Sequence, residues 1–154
     1  MPRVPDCLWI THGVAEGKTS LNAFDNALLA ADIGNFNLIK VSSIAPQDAV
    51  LLDARPDITA GSIVPAVISS IVSHESGAHI AACVGIGFGD NSFGMIMEHS
   101  GEGTADDAEA VVRRMIDESF QRRGLRLREV VMRSASCQVE TVACALASVI
   151  LWWR

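Results

Sequence analysis

Three kinds of side chain in this sequence could do chemistry: two adjacent hydroxyls, carboxylates set in apolar stretches, and scattered histidines. Ser42 and Ser43 lie side by side in NFNLIKVSSIAP, Asn35–Pro46, flanked by the β-prone Leu38, Ile39, Val41 and Ile44. Two serines alone specify no reaction. Asp25 follows Leu21 by four residues and precedes Leu28 by three, the spacing of one helix face, so its carboxylate falls toward an apolar side. Either it reaches solvent from the edge of that stripe, or it faces a pocket and requires a cation, because an unpaired buried charge is costly. A planar guanidinium is its natural bidentate partner. Glu98, in FGMIMEH, shares a strand face with Ile96. It either points into solvent or is partly desolvated, which raises a carboxyl pKa and suits a general acid near neutral pH. His12, His74, His79 and His99 have spacings that match no common zinc pattern. Gly85, Gly87 and Gly89 lack the spacing of a dinucleotide-binding loop.

The elements that must position these groups can be read in order. Cys7–Thr11 is an apolar first strand ending at Gly13, followed by a loop over Val14–Thr19. Thr19 or Ser20 caps a helix that runs to about Ala31 and is closed by Gly34, with Leu21, Phe24, Leu28 and Ala31 as its apolar stripe. Asn37–Ile44 reads as a strand interrupted at the serine pair, and Pro46 stops its continuation before a loop over Gln47–Gly61. Ser62–Ser73 and Ala78–Gly87 are strands joined by a turn at His74–Gly77, the three glycines marking the passage from the second strand into a turn. Phe93–His99 is a further short strand. Thr104 and Asp107 resemble a capping box for the clearest helix. Its apolar face is Ala108, Val111, Val112, Met115, Ile116, Ser119 and Phe120, and Gly124 stops it. The arginines of the opposite face are interleaved with acids, as on a solvated surface. Leu125–Arg133 and Cys137–Trp153 close the chain as strands. The last becomes continuously apolar, which places it centrally in a sheet and buried on both faces, with Trp152 and Trp153 as packing residues.

With 154 residues the chain suits one domain, and 49% hydrophobic against 19% charged residues gives a sizeable, mainly aliphatic core, since tyrosine is absent. A net charge of −6 argues against a nucleic-acid partner and mildly favours cationic ligands. The amino terminus carries Asp6 and His12 where a secretion signal needs an unbroken apolar stretch. The apolar run Val142–Trp153 falls short of the ~20 residues of a membrane span. Cys7, Cys83, Cys137 and Cys144 form no C-x-x-C pair and read as reduced, core-filling thiols of a cytoplasmic protein.

The whole segment GVAEGKTSLNAFDNALLAADIGNFNLIKVSSIAP, Gly13–Pro46, resembles the amino-terminal pattern of the pyruvoyl-dependent arginine decarboxylases. GMIMEHSG (Gly94–Gly101) and CALASVILWW (Cys144–Trp153) are similar to later landmarks of that family, in the same order. His99 and Ser100 depart from the more aromatic or acidic neighbourhood expected after Glu98. Two packed β layers with helices outside, the reading of the elements, match the α+β, four-layer αββα sandwich that the resemblance implies. It also implies that the single domain 1–154 cleaves itself between Ser42 and Ser43. Ser43 Oγ would attack the Ser42 carbonyl carbon to form an ester. Elimination and hydrolysis would then leave a β chain of residues 1–42 and an α chain 43–154 headed by a pyruvoyl group derived from Ser43. Asn37 matches the asparagine associated with that processing. Asp25 would hold the guanidinium of L-arginine, and Glu98 would protonate the α carbon once carbon dioxide has left, giving agmatine. The family assembles as trimers, or dimers of trimers, with sites between subunits.

Decarboxylation needs an electron sink, and pyridoxal phosphate is the usual one; Lys18 and Lys40 are the only lysines, with no phosphate-cradling loop beside either. Competing readings are a pyruvoyl enzyme acting on another amino acid, a non-processing, non-enzymatic subunit of the same fold, and a metalloenzyme built on the histidines. Retention of Asp25, Asn37, Ser42, Ser43 and Glu98 speaks against the second. Asp25 discriminates within the first, because only a cationic side chain requires it.

Overall fold

A computed structural model describes residues 3–154. The continuously apolar segment near the end forms β9 (Ala143–Trp152), buried along nearly its whole length. It pairs antiparallel with β1 (Cys7–Glu16) on one edge and β5 (Ile63–Ser73) on the other, so its backbone is satisfied on both sides. β2 (Asn37–Lys40) joins β5 in parallel, and the two-residue β4 (Val50–Leu51), inside the expected loop, joins β1. The order of this first sheet is β2-β5-β9-β1-β4. The second sheet is antiparallel throughout. It contains β3 (Ile44–Ala45), β7 (Gly94–Glu102), β6 (His79–Gly89) and β8 (Leu127–Gln138), in the order β3-β7-β6-β8.

Residues alternating along the strands build the layers. Leu8, Ile10, Val67 and Val149 of the first sheet meet Val84, Ile86 and Ile96 of the second. On the outer face of the first sheet lies α1 (Ser20–Ala30), packing through Ala23 and Ala27. On the outer face of the second lies α2 (Ala105–Arg123), packing through Val112, Ile116 and Phe120. This is the expected αββα sandwich.

Several local expectations change. β1 does not end at Gly13 but runs on to Glu16, because each of its residues finds a partner on β9. Gly13 serves the layer above instead. A Cβ there would stand 2.8 Å from the Ala27 carbonyl oxygen and the Ala31 nitrogen, so the bare Cα lets α1 rest directly on the strand. Thr11 Oγ1, two residues earlier, donates to the Ala31 carbonyl at 2.7 Å. The buried ridge of α1 is accordingly Ala23, Ala27 and Ala31, while Leu21 is 75% exposed. The helix is capped by Thr19 and Ala31, not by Gly34. Gly85 and Gly87 are likewise mid-strand, where a Cβ would come within 2.7 Å of Val112 and Ile116 respectively; they form a bed for α2 and not a turn. β8 continues to Gln138, so Cys137 belongs to it and the last strand begins only at Ala143.

The α2 boundaries follow the sequence signals. Thr104 Oγ1 accepts from the Asp107 N–H, Asp107 Oδ2 accepts from the Thr104 N–H, and Gly124 takes φ +65° at the other end. Those hydrogen bonds hold the Asp107 carboxyl below its usual range. The four cysteines are free, and burial pushes the Cys83 thiol up to about 12 and Cys144 up to about 11, as for inert core residues. No described helix is long and apolar enough to cross a membrane.

Candidate active site

The serine pair occupies the span in which the chain leaves one sheet and enters the other. β2 ends at Lys40 in the first sheet and β3 begins at Ile44 in the second. Both ends of the span are pinned: the Val41 N–H donates to the Ala66 carbonyl at 3.1 Å, and the Ser43 carbonyl accepts from the Ile96 N–H at 2.8 Å. Between these anchors Ser43 adopts φ +68°, a left-handed conformation that costs a residue with a side chain roughly 1–2 kcal/mol. The interruption foreseen at Ser42–Ser43 is thus a change of sheet, achieved through a strained backbone.

Pairing of Ile44 with Met95 sets Ser43 opposite Ile96 on β7. Glu98 lies two residues further on the same strand face, about 7 Å away along β7. That face looks into the space between the sheets, where Ile96 is fully buried. Much of the Glu98 side chain remains open to solvent, but burial around its carboxyl raises its pKa, and the nearby Lys40 ammonium partly offsets the rise. Beyond Glu98 the two sheets are stitched together. Ser69 Oγ donates to the His99 carbonyl at 2.7 Å, and Ser100 Oγ donates to the Ser70 carbonyl at 3.0 Å. Of the two residues that depart from the expected neighbourhood, Ser100 helps to fix the strand that carries Glu98 through its hydroxyl, whereas His99 takes part only through its backbone carbonyl.

Asp25 is exposed within one chain, the solvent-reaching alternative of the two that its place at the edge of the stripe allowed. At about 100° per residue it falls on the flank of α1 shared with Leu21, Phe24 and Leu28. Phe24 and Leu28 pack against the same outer-face core that Leu38 of β2 joins. Helix α1 covers the outer face of the first sheet and Glu98 lies on the inner face of the second; the two carboxylates do not converge within one chain. Asn37 opens β2 at its far end, roughly 15 Å of extended chain before Ser42. Its Nδ2 donates to the Gly61 carbonyl at 2.7 Å.

The structure therefore gathers Ser42, Ser43, Lys40 and Glu98 and leaves Asp25 and Asn37 apart. Lys40 went unrecognised as a neighbour of Glu98, since nothing local in the sequence pairs β2 with β7; its place three residues before Ser43 was the available signal. Among the described residues no group of three or more His, Cys, Asp and Glu side chains is arranged to hold a metal ion, and His74 instead meets Ser20 Oγ through Nε2 at 2.6 Å.

A family model described as pyruvoyl-dependent arginine decarboxylase matches residues 7–152. The chain belongs to the pyruvoyl-dependent arginine decarboxylase family. It is similar to the pyruvoyl-dependent arginine decarboxylase of Pyrococcus abyssi, with 43% identity over 141 residues, 90% of this chain and 89% of the relative. The corresponding protein of Thermococcus kodakarensis is 41% identical over 150 residues, 96% of each chain. That of Methanocaldococcus jannaschii is 37% identical over 154 residues, 99% of this chain and 93% of the relative. The family match spans β1 to β9, so the serine crossover and the Glu98 strand both lie inside it.

Proposed function

We propose that this chain decarboxylates L-arginine to agmatine and carbon dioxide, with a pyruvoyl group made from its own Ser43. The observation that carries the proposal is the left-handed Ser43 in a span pinned at both ends, within a chain of this family. Distortion stored at that peptide lowers the cost of rearranging it. Ser43 Oγ attacks the Ser42 carbonyl carbon, and the peptide C–N bond gives way to an ester. Elimination breaks the Ser43 Cβ–O bond, leaving Ser42 as a carboxylate and residue 43 as a dehydroalanine. Water then releases ammonia and leaves a pyruvoyl group at the head of residues 43–154. The crossover suits this chemistry, since strands hold the chain on either side of the break.

Once formed, the ketone of that group supplies the electron sink that decarboxylation of an amino acid needs. Glu98, on the strand opposite residue 43 and with an elevated pKa, holds a proton for the substrate α carbon after carbon dioxide leaves. Lys40 tempers that proton affinity. Asp25 takes the substrate guanidinium in a bidentate ion pair. Because Asp25 and Glu98 stand in different layers of one chain, the complete site draws on two subunits. Ile39, Val41 and Ile44, with Ile63 at the start of β5, expose apolar surface along β2 and β3 and beside β2 that a second subunit would cover, in keeping with a trimer or dimer of trimers. Asn37 assists processing through the β2–Gly61 contact or across that interface. A cytoplasmic location accords with four free thiols, three of them buried.

An intact-mass spectrum of the purified, denatured protein tests the central step. Two fragments, the larger lacking a free amino terminus, are expected, followed by agmatine formation from arginine in preference to lysine or ornithine. A single 16.4 kDa chain persisting after long incubation would overturn the proposal.

A further inference from the structure

Seven of the chain's twelve basic residues fall between Arg113 and Arg133, against three acids there. This stretch is α2 and the start of β8. Arg113, Arg126 and Arg128 form ion pairs with Asp117, Asp90 and Glu129, whereas no ion pair engages Arg122 or Arg123 among the described residues. Those two arginines line a cleft of about 320 Å³ between the last turns of α2 and β7, together with Met97, Met115, Glu118 and Ser119. The cleft lies on the opposite face of β7 from Glu98, because Met97 packs beneath α2 while Glu98 turns toward the other sheet.

We propose that this cleft binds a small carboxylate with an unbranched apolar tail. Its volume is at the small end of ligand sites, enough for a chain of several methylenes. The two methionines, both partly exposed, offer a polarisable floor that adapts to such a tail. The two guanidinium groups offer planar, bidentate donors to the carboxylate at the rim. The negative end of the α2 dipole opposes an anion here. That opposition is reduced because three carbonyls near the end of α2 are already engaged: Arg123 Nη1 donates to the Ser119 carbonyl, the Gly124 N–H to Gln121 and the Leu125 N–H to Phe120. Glu118 is the internal competitor, one helical turn before Arg122. The inference is independent of the serine chemistry, since none of these residues lies in the crossover.

The test is a titration of protein labelled with 13C at the methionine methyls, using hexanoate and, as a control of equal tail length, hexylamine. Hexanoate should shift Met97 and Met115 saturably while leaving the fully buried Met95 unmoved. Hexylamine should give no saturable shift. Arg122→Gln combined with Arg123→Gln should weaken hexanoate binding at least about tenfold, and Glu118→Gln, which keeps both arginines, should strengthen it. No saturable shift up to about 50 mM, the regime of very weak binding, would overturn the proposal. So would equal responses to the two ligands, or an affinity unchanged in both variants.

Discussion

Replacing Ser43 by glycine and, separately, by alanine isolates the backbone strain from the hydroxyl chemistry. Neither variant can form the ester, so both should remain single chains whose stabilities are directly comparable. At φ +68° alanine bears the left-handed penalty of roughly 1–2 kcal/mol, and glycine does not. Glycine loses about 0.4–1 kcal/mol of that advantage through the greater freedom of its unfolded chain. The net expectation is that Ser43→Gly exceeds Ser43→Ala by about 0.5–1 kcal/mol. With a urea dependence of about 2 kcal/mol per molar, the midpoint should move up by roughly 0.25–0.5 M. Urea unfolding followed by circular dichroism, at one fixed protein concentration because assembly adds to stability, reads this difference. If Ser43→Ala proves equal or more stable, the crossover is unstrained at this residue. The same 1–2 kcal/mol, released as the Ser42–Ser43 peptide rearranges, would account for roughly 5–30-fold in the rate of self-cleavage.

Other consequences can be checked alongside it. Glu98→Gln should still be cleaved at Ser42–Ser43, as seen by mass, yet lose about 10²–10⁴-fold in turnover for want of its proton. Because burial raises the Glu98 pKa, the protonated form persists above the ordinary carboxylate range, and turnover limited by that proton should fall as pH rises through the raised value. Lys40→Met removes the opposing cation and should move that limb of the pH–rate profile to higher pH; a shift to lower pH would contradict the arrangement. Asp25→Asn should leave cleavage intact and lower kcat/KM for arginine by about 10–150-fold, the worth of one charged hydrogen-bonded contact. Gly13→Ala should cost about 1–3 kcal/mol or more, because its methyl meets the α1 backbone and not a movable side chain; a thermal melt would read it.

The contrast between what could and could not be read in the sequence follows from how local each signal is. The capping box of Thr104 and Asp107, the Gly124 stop and the apolar run of β9 are carried by neighbouring residues, and they form as expected. Gly13 and Gly85 look like strand ends in a one-dimensional reading because glycine disfavours strands. Their purpose is close approach by a helix that arrives from elsewhere in the chain. The same cause hid the true face of α1: alanines are weak hydrophobic signals, but here they are selected for being small. The break at the serine pair was legible, whereas its change of sheet was not, since β2 and β3 take their partners from β5 and β7. For the same reason Glu98 could be suspected of desolvation from its strand, while for Asp25 the spacing left open whether its carboxylate reaches solvent or faces a pocket. Helical spacing locates a flank but not the depth to which it is covered.

The position of the crossover also determines what cutting it would do to folding. Residues before the break supply β1, α1 and β2, and β1 sits inside the first sheet between β9 and β4, both from residues after the break. Ten residues of β1 are paired along β9, so the shorter piece is interlaced with the longer one and cannot leave without dismantling the sheet. Folding of the intact precursor is a one-molecule process, but reassembly of the cut protein requires two chains to meet. Processing would therefore make the active form easy to reach once and hard to regain, with its lifetime governed by the rate of unfolding.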